Sequence, residues 1–543
     1  MRKIRLLSLV LALLMCMSVF AACNKPAAIQ ELSVCVGSEP DSIDPAYNEA
    51  VDGATLLIHA FSGICKLDKD GMPQPDAAKE IKISEDGLTY TITLRDGLKW
   101  SDGKDLVAED FIYAWKRAID PVNATSYGYM LENITGVADV YYADPEVDVY
   151  DVDAIGAKAI DAKTIEITLT SAAPYFMEIL AFPTLFPVRK DIVESDEAWS
   201  TKPETYITNG PYKMKAWDHD AQIVFEKNEY YHDKDAILPE TIKFVLMDDD
   251  NAILAAYQNG TIMLADSVPN DEIDNLRDND EFFIAGQLGT YFVCFNTEKE
   301  PFDDMRVRKA LSLVIDRNFI VEQIGKAGQE PATAYVATGL TDGDPTKEFR
   351  DVGGDYYSVA KEDYQANCDE ARQLLADAGY ANGEGFPKFE YLLNTSTGHK
   401  LIAEALQNMW KTELGIDCTI AEQEWGVFLN TRQNGEYEVA RHGWLADYND
   451  PISFLDMWVT GGGNNDAQWS NAEYDALISG VKTSSDRTKR YADMHAAEDI
   501  LMEEMPVSPI YYYVDIYMKS AKLEGFYSSP LGYKYFMYCS VTD

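Results

Sequence analysis

The sequence predicts an α/β protein with more than one domain. Residues 389–393 are predicted as a strand, His399–Leu414 as an amphipathic helix, and Ile416–Ala421 as the next strand. Gly415 follows the last periodic residue of the helix, and a glycine there is a common helix stop. This order is typical of a βαβ unit, in which a crossover helix joins two strands of one sheet. At 543 residues the chain is too long for a single core, so we expect two or three domains.

Hydrophobic periodicity predicts the other elements. Thr89–Leu94 alternates threonines with larger apolar residues, which is the pattern of a half-buried strand. A helix is predicted from Ala108 to just before Pro121, because apolar residues recur at helical spacing and acids occupy its first turn. The remaining predictions are strands at 34–36, 164–169, 206–217, 221–227, 242–247 and 290–296, and helices at 56–61, 251–258, 307–315 and 369–379.

The N-terminus resembles an export signal. Three cations lie among the first five residues, and the apolar run Leu6–Phe20 is too short for a comfortable bilayer span. Small residues then precede Cys23, a pattern typical of a bacterial lipoprotein signal in which Cys23 is lipidated. Two or three acyl chains would anchor such a protein stably. Simple secretion is the alternative, because Phe20 occupies a position where Leu, Val or Ile is commoner.

Charge and cysteine spacing exclude some classes of partner. The formal net charge is −45, and removal of residues 1–22, which carry three cations and no acids, makes it −48. A chain this acidic would be repelled by nucleic acid and favours cationic or zwitterionic solutes. The six cysteines beyond Cys16 and Cys23 are widely spaced and include no C-x-x-C pair. They are interpreted as buried small hydrophobes, although export permits a disulfide.

No motif nominates a catalytic or metal site. The six histidines show no H-E-x-x-H spacing, and G-x-S-x-G, G-x-G-x-x-G and Walker A patterns are absent from the sequence. Asp342-Gly343-Asp344 lacks the spaced ligands of a calcium loop. We therefore expect no enzymatic activity, no metal and no cofactor. A secreted acidic hydrolase stays as an alternative, because two distant carboxylates leave no short motif.

The stretch Arg441–Pro451, R-H-G-W-L-A-D-Y-N-D-P, concentrates groups suited to binding. Gly443 allows close approach of another backbone, and Trp444 offers a flat apolar face. Partial burial of Asp447 would be costly unless a cation compensates its charge. The alternative is an ordinary strand end, since Asn449-Asp450-Pro451 is typical turn chemistry.

Six stretches carry a family resemblance. The most specific is LRDGLKWSDGKDLVAEDFIYAWKRAIDP, from Leu94 to Pro121. The others are APYFMEILAFPTLFPV from Ala173, NGPYKMKAW from Asn209, YFVCFNTEKEPFDDMRVRKALSLVIDR from Tyr291, EWGVFLNTRQNGEYEVARHGWLADYNDPISFL from Glu424, and MPVSPIYYY from Met505. Together they resemble extracytoplasmic solute-binding proteins (family 5) of peptide ABC importers, most of all the oligopeptide-binding proteins. The resemblance covers nearly the whole mature chain.

The resemblance implies a fold and a division of the chain. The fold would be α/β, two-lobed and periplasmic-binding-protein-like, with three domains, mixed sheets and ligand enclosed at the hinge cleft. The implied segments are a signal peptide at 1–22, a lipidated linker at 23–32, a discontinuous lobe 1 at 33–68, 187–298 and 510–543, an inserted domain at 69–186, and lobe 2 at 299–509.

The resemblance also implies a peptide-binding site. The family grips an extended peptide by its main chain, as a strand added between two protein strands. The residues that the resemblance assigns to peptide contact are Cys35, Tyr127, Tyr291, His399, Trp425, Arg441, Gly443, Trp444, Leu445 and Asp447. Asp447 would pair with the peptide's α-ammonium, and Arg441 and His399 with its carboxylate. Structural filler is the alternative for Tyr127, and an ordinary exposed residue at a helix start is the alternative for His399.

The predicted function is that of a lipid-anchored receptor on the outer face of the cell membrane. It would bind peptides as a monomer and deliver them to the permease of an ABC transporter. Alternatives within the fold are binding of dipeptides, a nickel chelate, haem or a signalling peptide. Alternatives outside it are the acidic hydrolase and a chaperone-like protein that holds extended chains.

Overall fold

The computed structural model describes residues 31–542. The predicted signal peptide, Cys23 and most of the predicted linker lie outside the described residues. In chain order the strands are β1 (Glu31–Val34), β2 (Cys65–Leu67), β3 (Pro73–Pro75), β4 (Ala78–Ile83), β5 (Thr89–Leu94), β6 (Ala157–Asp161), β7 (Thr164–Thr168), β8 (Tyr212–Asp218), β9 (Gln222–Lys227), β10 (Thr241–Val245), β11 (Leu264–Ala265), β12 (Phe282–Phe295), β13 (Glu330–Pro331), β14 (Phe389–Asn394), β15 (Cys418–Gln423), β16 (Val439–Leu445), β17 (Val507–Lys519), β18 (Leu523–Glu524), β19 (Tyr527–Ser528), β20 (Lys534–Tyr535) and β21 (Ser540–Val541).

Helices alternate with these strands. Those of nine or more residues are α1 (Val51–Ala60), α2 (Ala108–Ile119), α3 (Asp250–Gln258), α4 (Met305–Leu313), α5 (Tyr364–Asp377), α6 (Thr397–Met409), α7 (Trp425–Gln433), α8 (Ala472–Thr483) and α9 (Arg487–Glu504). Shorter α-helices span Val137–Tyr141, Phe176–Ile179, Lys190–Val193, Ile273–Leu276, Arg317–Phe319, Phe349–Gly353 and Ile452–Leu455. Two segments, Ile320–Gly325 and Trp410–Leu414, are π-helical.

The strands form mixed and antiparallel sheets. One four-stranded sheet has the order β1–β10–β9–β8, with β1 parallel to β10, and another has the antiparallel order β4–β5–β7–β6. The largest sheet runs β11–β17–β12–β16–β14–β15, and β13 also pairs with β17. Three two-stranded ribbons, β2–β3, β18–β21 and β19–β20, complete the pattern. The architecture is therefore α/β with mixed sheets.

Two long strands organise the largest sheet. β12 and β17 pair along most of their length, with a shift of register between Gly286 and Thr290. β14 and β15 are parallel and are joined by α6, which confirms the predicted βαβ unit. The sheet contains segments assigned to both predicted lobes, because β12 lies in the lobe 1 segment 187–298, β14, β15 and β16 lie in lobe 2, and β17 spans the predicted boundary between residues 509 and 510. The exact domain bounds stay a prediction.

Several predicted elements agree closely with the structure, whereas others are wrong at their start: the helices predicted at 56–61 and 369–379 begin at Val51 and Tyr364. β5 and α2 begin where the periodicity places them. The strand predicted at 206–217 begins only at Tyr212. Residues before it are held as a loop, because the Asn209 side chain accepts the Ser62 N–H at 3.0 Å and donates to the Ser62 carbonyl at 2.8 Å. Here hydrogen bonds between a polar side chain and the backbone take the place of the hydrogen bonds between strands.

The interpretation of the cysteines is confirmed within the described residues. Cys35, Cys65, Cys294, Cys368, Cys418 and Cys539 are all buried and free. Among residues 31–542, no group of three or more His, Cys, Asp or Glu side chains is arranged to hold a metal ion. The same part of the chain contains no helix long and apolar enough to cross a bilayer.

Candidate functional site

A cavity of about 450 Å³ lies between distant parts of the chain. Its walls come from residues 36–54, 247–287, 394–466 and 513–533, together with two aromatic residues of the predicted inserted domain. Both β16 and the loop that follows β1 line the cavity. Residues so far apart in sequence meet only in the folded chain.

β16 presents an open edge to this cavity. On one side it pairs with β12 from Val439 to Leu445, whereas on the other side β14 pairs only with Val439 and Ala440. Among the described residues, no strand covers the second edge from Arg441 to Leu445. Such an edge offers main-chain donors and acceptors to an added strand.

The direction of the free main-chain groups follows from two hydrogen bonds to the β12 side. The Glu438 carbonyl accepts the Asn296 N–H at 3.0 Å, and the Ala446 N–H donates to the Leu288 carbonyl at 2.8 Å. Because successive residues of a strand point their N–H and C=O groups to opposite sides, the even-numbered residues face β12. The odd-numbered residues 441, 443 and 445 therefore face the open edge.

Gly443 is required at the centre of this edge. A Cβ atom at that position would lie 2.2 Å from the Tyr513 hydroxyl oxygen, so no other residue fits without displacing the tyrosine. The Gly443 N–H donates to Nδ1 of His442 at 2.7 Å. Burial lowers the pKa of His442 to about 4, so Nδ1 is free to accept this bond at neutral pH.

Asp447 lies just beyond one end of the open edge. Its carboxylate accepts only long hydrogen bonds, 3.5 Å from the Tyr127 hydroxyl and 3.4 Å from the Ser453 hydroxyl. No Lys or Arg side chain of residues 31–542 lies within 4.0 Å of it. Burial, and then the charge of Asp456, raises the pKa of Asp447 well above its usual range.

Aromatic rings surround the Asp447 end. The Tyr127 ring stacks on Trp444 at 6.2 Å between centroids, with 9° between the ring planes. The Trp444 indole N–H is satisfied by the Ser453 carbonyl at 2.8 Å. The apolar ring faces are therefore the parts of these side chains left to contact a ligand, and such faces also stabilise cations.

Arg441 marks the other end of the edge. Its guanidinium lies 5.3 Å from the centre of the Tyr291 ring, and Nη2 donates to the Tyr513 hydroxyl at 3.4 Å. Its buried Nε has no hydrogen-bond acceptor among the described residues. The two ends of the edge thus carry opposite charges, and neither is paired with an opposite charge of the described chain.

His399 lies near Arg441 but lines an adjoining cavity. This second cavity, of about 380 Å³, shares Leu445 and Tyr513 with the first. The Ser396 side chain caps the start of α6 and accepts the His399 N–H at 3.4 Å, which fixes the position of the histidine. Burial, and then the Arg441 charge, lowers the pKa of His399 well below its usual range, so the ring is neutral.

A compensated ion pair lies in the same cavity and was not predicted from the sequence. Asp466 accepts a hydrogen bond from Arg432 and another, at 3.1 Å, from Nε2 of His442. Although burial opposes it, the Arg432 charge and the His442 hydrogen bond lower the pKa of Asp466. No local pattern indicated this group, because Asp466 is 34 residues from Arg432 and 24 residues from His442 in the chain.

The structure brings together most of the predicted site residues. Those that line the main cavity are Tyr127, Trp425, Arg441, Gly443, Trp444, Leu445 and Asp447. Lining residues that sequence reasoning missed include Val36, Glu49, Asp52, Gln287, Tyr513 and Tyr533. Of these, only Tyr513 lies in a stretch that carries the family resemblance, MPVSPIYYY, and the other five have no motif because their neighbours in the cavity are distant in sequence.

Cys35 and Tyr291 differ from the expectation, because both are fully buried and do not line the cavity. The Cys35 N–H donates to the Leu264 carbonyl at 3.0 Å, and its carbonyl accepts the Asp266 N–H at 3.2 Å. Its main chain is therefore committed to β11, and the following residue, Val36, faces the cavity instead. Tyr291 supports Arg441 from behind.

Comparison with known families identifies the class of protein. The sequence model described as bacterial extracellular solute-binding proteins, family 5 Middle, matches residues 72–466. The chain belongs to this family of extracellular solute-binding proteins. The predicted family and fold class are confirmed, and the family consists of solute-binding proteins rather than enzymes.

Individual relatives are similar over nearly their full length. The chain is 35% identical over 512 residues to the oligopeptide-binding protein OppA of Bacillus subtilis, covering 93% of this chain and 91% of that protein. The crystal structure of Haemophilus influenzae OppA in complex with the peptide RPPGFSPFR matches with a TM-score of 0.89 and 29% identity, covering 96% of this chain and 100% of that one.

A third relative has been solved in two forms. The structure of the Escherichia coli murein tripeptide-binding protein MppA matches with a TM-score of 0.87 and 31% identity, covering 95% of this chain and 99% of that one. A structure of MppA in its unliganded open form matches with a TM-score of only 0.62, covering 95% and 98%. The arrangement of the parts of this chain is therefore more similar to the first MppA structure than to the unliganded open form.

Proposed function

We propose that this chain is an exported peptide receptor of an ABC importer. The observation that carries the proposal is the open edge of β16, which runs between an uncompensated carboxylate, Asp447, and an uncompensated guanidinium, Arg441. A peptide has the matching chemistry: main-chain donors and acceptors between a positive and a negative end. The peptide-binding names of the relatives agree with this assignment.

The peptide binds as an added strand. Its α-ammonium pairs with Asp447 and its carboxylate with Arg441, so it runs antiparallel to β16. The Gly443 carbonyl and the main-chain groups of Leu445 bond to the peptide backbone, which gives affinity with little dependence on side chains. The four residue steps from Arg441 to Leu445 span roughly 13 Å, which suits an enclosed segment of about four residues.

Trp425, Trp444 and Tyr127 form walls against the peptide side chains. His399, in the adjoining cavity, takes part in binding at the carboxyl end. The cavity is enclosed between lobe 1, made of 33–68, 187–298 and 510–543, and lobe 2, made of 299–509, with 69–186 as an inserted domain.

The cellular setting extends the proposal. Cleavage after residue 22 leaves Cys23 as a lipidated first residue, which tethers the monomeric protein to the outer face of the cell membrane. From there it passes intact peptides to the permease subunits. The signal-like N-terminus and the extracellular character of the family support this setting.

Mass spectrometry of gently purified protein tests the proposal. We expect intact short peptides to co-purify and to be released on denaturation. Titration calorimetry with a mixed set of tetrapeptides should then show binding at one site per chain. Recovery of cleavage products that accumulate with time, or no binding of any peptide, would overturn the proposal.

The variant Asp447→Asn tests the assignment of the peptide's amino end. It should cost roughly 2–5 kcal/mol of binding free energy for peptides with a free N-terminus, as for removal of one partner of a buried charge pair. N-acetylated peptides should bind the wild-type protein weakly and lose little more in the variant. Glu85→Gln, at an exposed residue that does not line the cavity, is the matched control. Equal losses for free and acetylated peptides would refute the assignment.

A further inference from the structure

The predicted inserted domain, 69–186, contacts both predicted lobes but is joined by the chain to only one of them. Both of its ends continue into segments of lobe 1. A largely buried ion pair also holds it there, because Arg117 donates to the two carboxylate oxygens of Asp44 at 2.8 and 2.7 Å. We therefore expect the inserted domain to move with lobe 1, so that its contacts with lobe 2 depend on how the lobes are arranged.

A buried ion pair crosses from the inserted domain to lobe 2. The Lys482 ammonium, near the end of α8, lies 2.8 Å from a carboxylate oxygen of Glu132, and the two side chains are 14% and 10% exposed. Asp456, which also belongs to lobe 2, lies 3.7 Å from the same ammonium. Although burial opposes it, the charges of Glu132 and Asp456 raise the pKa of Lys482, so the ammonium stays charged. The Glu132–Lys482 pair exists only while the inserted domain lies on lobe 2.

The backbones of the two parts also approach each other closely. The Ser171 hydroxyl donates to the Lys482 carbonyl at 2.5 Å. A Cβ atom on Gly463 of lobe 2 would lie 2.5 Å from the Ser126 carbonyl oxygen and 2.7 Å from the Ser126 Cα atom. A side chain at residue 463 would therefore keep the inserted domain from lying on lobe 2 as it does here.

The same boundary reaches the segment that carries Asp447. The Asn449 N–H donates to a carboxylate oxygen of Glu178 at 2.8 Å. The Tyr448 ring stacks on the Tyr175 ring at 5.0 Å between centroids, with 11° between the ring planes. The two residues that follow Asp447 are thus held by the inserted domain, which helps to position the proposed partner of the peptide's α-ammonium.

We propose that these contacts form a latch that holds the inserted domain and lobe 2 together around a bound peptide. The latch consists of Glu132, Ser171 and Glu178 on the inserted domain and Asn449 and Lys482 on lobe 2. The inference rests on the proposed function, because it assumes that a peptide is enclosed between the lobes. None of these five residues lines the main cavity, so the latch acts on the peptide through the arrangement of the lobes and not by contact.

An ion pair suits a latch that must also open. When the two parts separate, Glu132 and Lys482 regain water, and this gain offsets much of the attraction that they lose. The closed arrangement is then only modestly favoured without a ligand, and a peptide that contacts both lobes shifts the equilibrium towards it. Removal of one charge leaves the other poorly compensated on closing, so the lobes should open more often.

Stopped-flow kinetics of Glu132→Gln test the latch. The change keeps the shape of the side chain, removes its charge and leaves Lys482 its neighbour Asp456. The probes are the tetrapeptides Ala-Ala-Ala-Ala, Ala-Phe-Ala-Ala and Ala-Lys-Ala-Ala, and the fluorescence of Trp425 and Trp444, which line the cavity, reports binding. We expect the dissociation rate constant to rise about tenfold and the association rate constant to change by less than about threefold, because the latch closes after the peptide has docked.

Urea unfolding separates a latch from a contact that only stabilises the fold. Without peptide the lobes are not held closed, so Glu132→Gln should have nearly the same unfolding midpoint as the wild-type protein. A saturating tetrapeptide should then raise the midpoint of the variant less than that of wild type. A clearly lower midpoint for the ligand-free variant would mean that the pair persists without peptide, and would overturn the latch.

Gly463→Ala tests the latch by steric means. The added methyl group meets the Ser126 backbone only when the inserted domain lies on lobe 2, and Gly463 is not among the residues with a left-handed backbone. We expect faster dissociation here too. The controls are Gly480→Ala, whose added Cβ would approach lobe 2 side chains no closer than 3.3 Å, and Asp153→Asn, which breaks an ion pair with Lys116 inside the inserted domain. Both controls should keep the wild-type rates.

The outcomes distinguish the latch from the proposed function. An unchanged dissociation rate constant in either Glu132→Gln or Gly463→Ala, or an equal change in the controls, would overturn the latch alone. If the wild-type protein bound none of the three tetrapeptides, the proposed function would fail together with the latch.

Discussion

The surroundings of Asp447 and of Asp466 differ in one decisive respect. Both carboxylates line the same cavity, but Asp466 is paired with Arg432 and accepts a hydrogen bond from His442. Asp447 has only long hydrogen bonds to hydroxyl groups. The pKa of Asp466 is lowered despite burial, whereas burial raises that of Asp447.

The difference distinguishes a structural charge from a charge kept for a ligand. Where the fold supplies its own cation, the buried carboxylate is stabilised before anything binds. Where the fold supplies none, burial of the charge costs free energy until a cation arrives. Asp447 belongs to the second kind.

The largest expected effect comes from Asp466→Asn. This change leaves Arg432 as a buried charge without a carboxylate partner, and we expect it to lower the free energy of unfolding by about 3–5 kcal/mol. Urea unfolding of the ligand-free protein, followed by tryptophan fluorescence, measures the loss. A loss below about 1 kcal/mol would show that the pair does not have the structural role given to it here.

Arg441→Met sharpens the comparison at the opposite end of β16. Methionine keeps much of the side-chain volume but removes the charge, so binding of a peptide with a free carboxyl end should weaken by about 1.5–3 kcal/mol. A peptide with an amidated carboxyl end should bind the wild-type protein and the variant alike. Calorimetry with both peptides measures these binding free energies. Equal losses for the free and the amidated peptide would show that the peptide's carboxylate does not bind at Arg441.

Asp447→Asn should stabilise the ligand-free protein at neutral pH, by about 1–3 kcal/mol. The folded-state pKa of Asp447 is raised above its unfolded value, so its favourable contribution is complete below the unfolded pKa and is lost as pH rises through the folded pKa. The two proteins should therefore be nearly equally stable near pH 3.5 and diverge as pH increases. Unfolding curves measured from pH 3.5 to 8 test this, and a variant less stable than wild type at pH 7 would contradict it.

His399→Gln should have the smallest effect. The histidine is already neutral, because burial and Arg441 lower its pKa, and it lines only the adjoining cavity. We expect peptide affinity to change by less than about 1 kcal/mol, as for a neutral hydrogen bond. Between pH 5 and 8, the affinities of wild type and variant should change in parallel. A step in the wild-type profile alone would show that His399 titrates in that range.

Local sequence was sufficient for many individual elements. The alternating threonines of β5 and the apolar spacing of α2 placed both elements correctly, because strand and helix periodicity are local properties. The start of β8 was placed too early, since a distant contact of Asn209 with Ser62 holds the preceding residues as a loop. The βαβ unit was predictable because its three elements are consecutive.

The sequence by itself determined the family and singled out Arg441–Pro451 as the segment most suited to binding. Only the tertiary structure decided which charges are compensated and which main-chain groups are open. Arg432 reaches Asp466 across 34 residues, and β14 stops pairing with β16 after Ala440. The tertiary structure also placed Cys35 and Tyr291 behind the cavity and Glu49 and Asp52 in the wall of the cavity. The physical reason is that solvation, charge pairing and strand edges depend on neighbours in space, and these neighbours are distant in the chain.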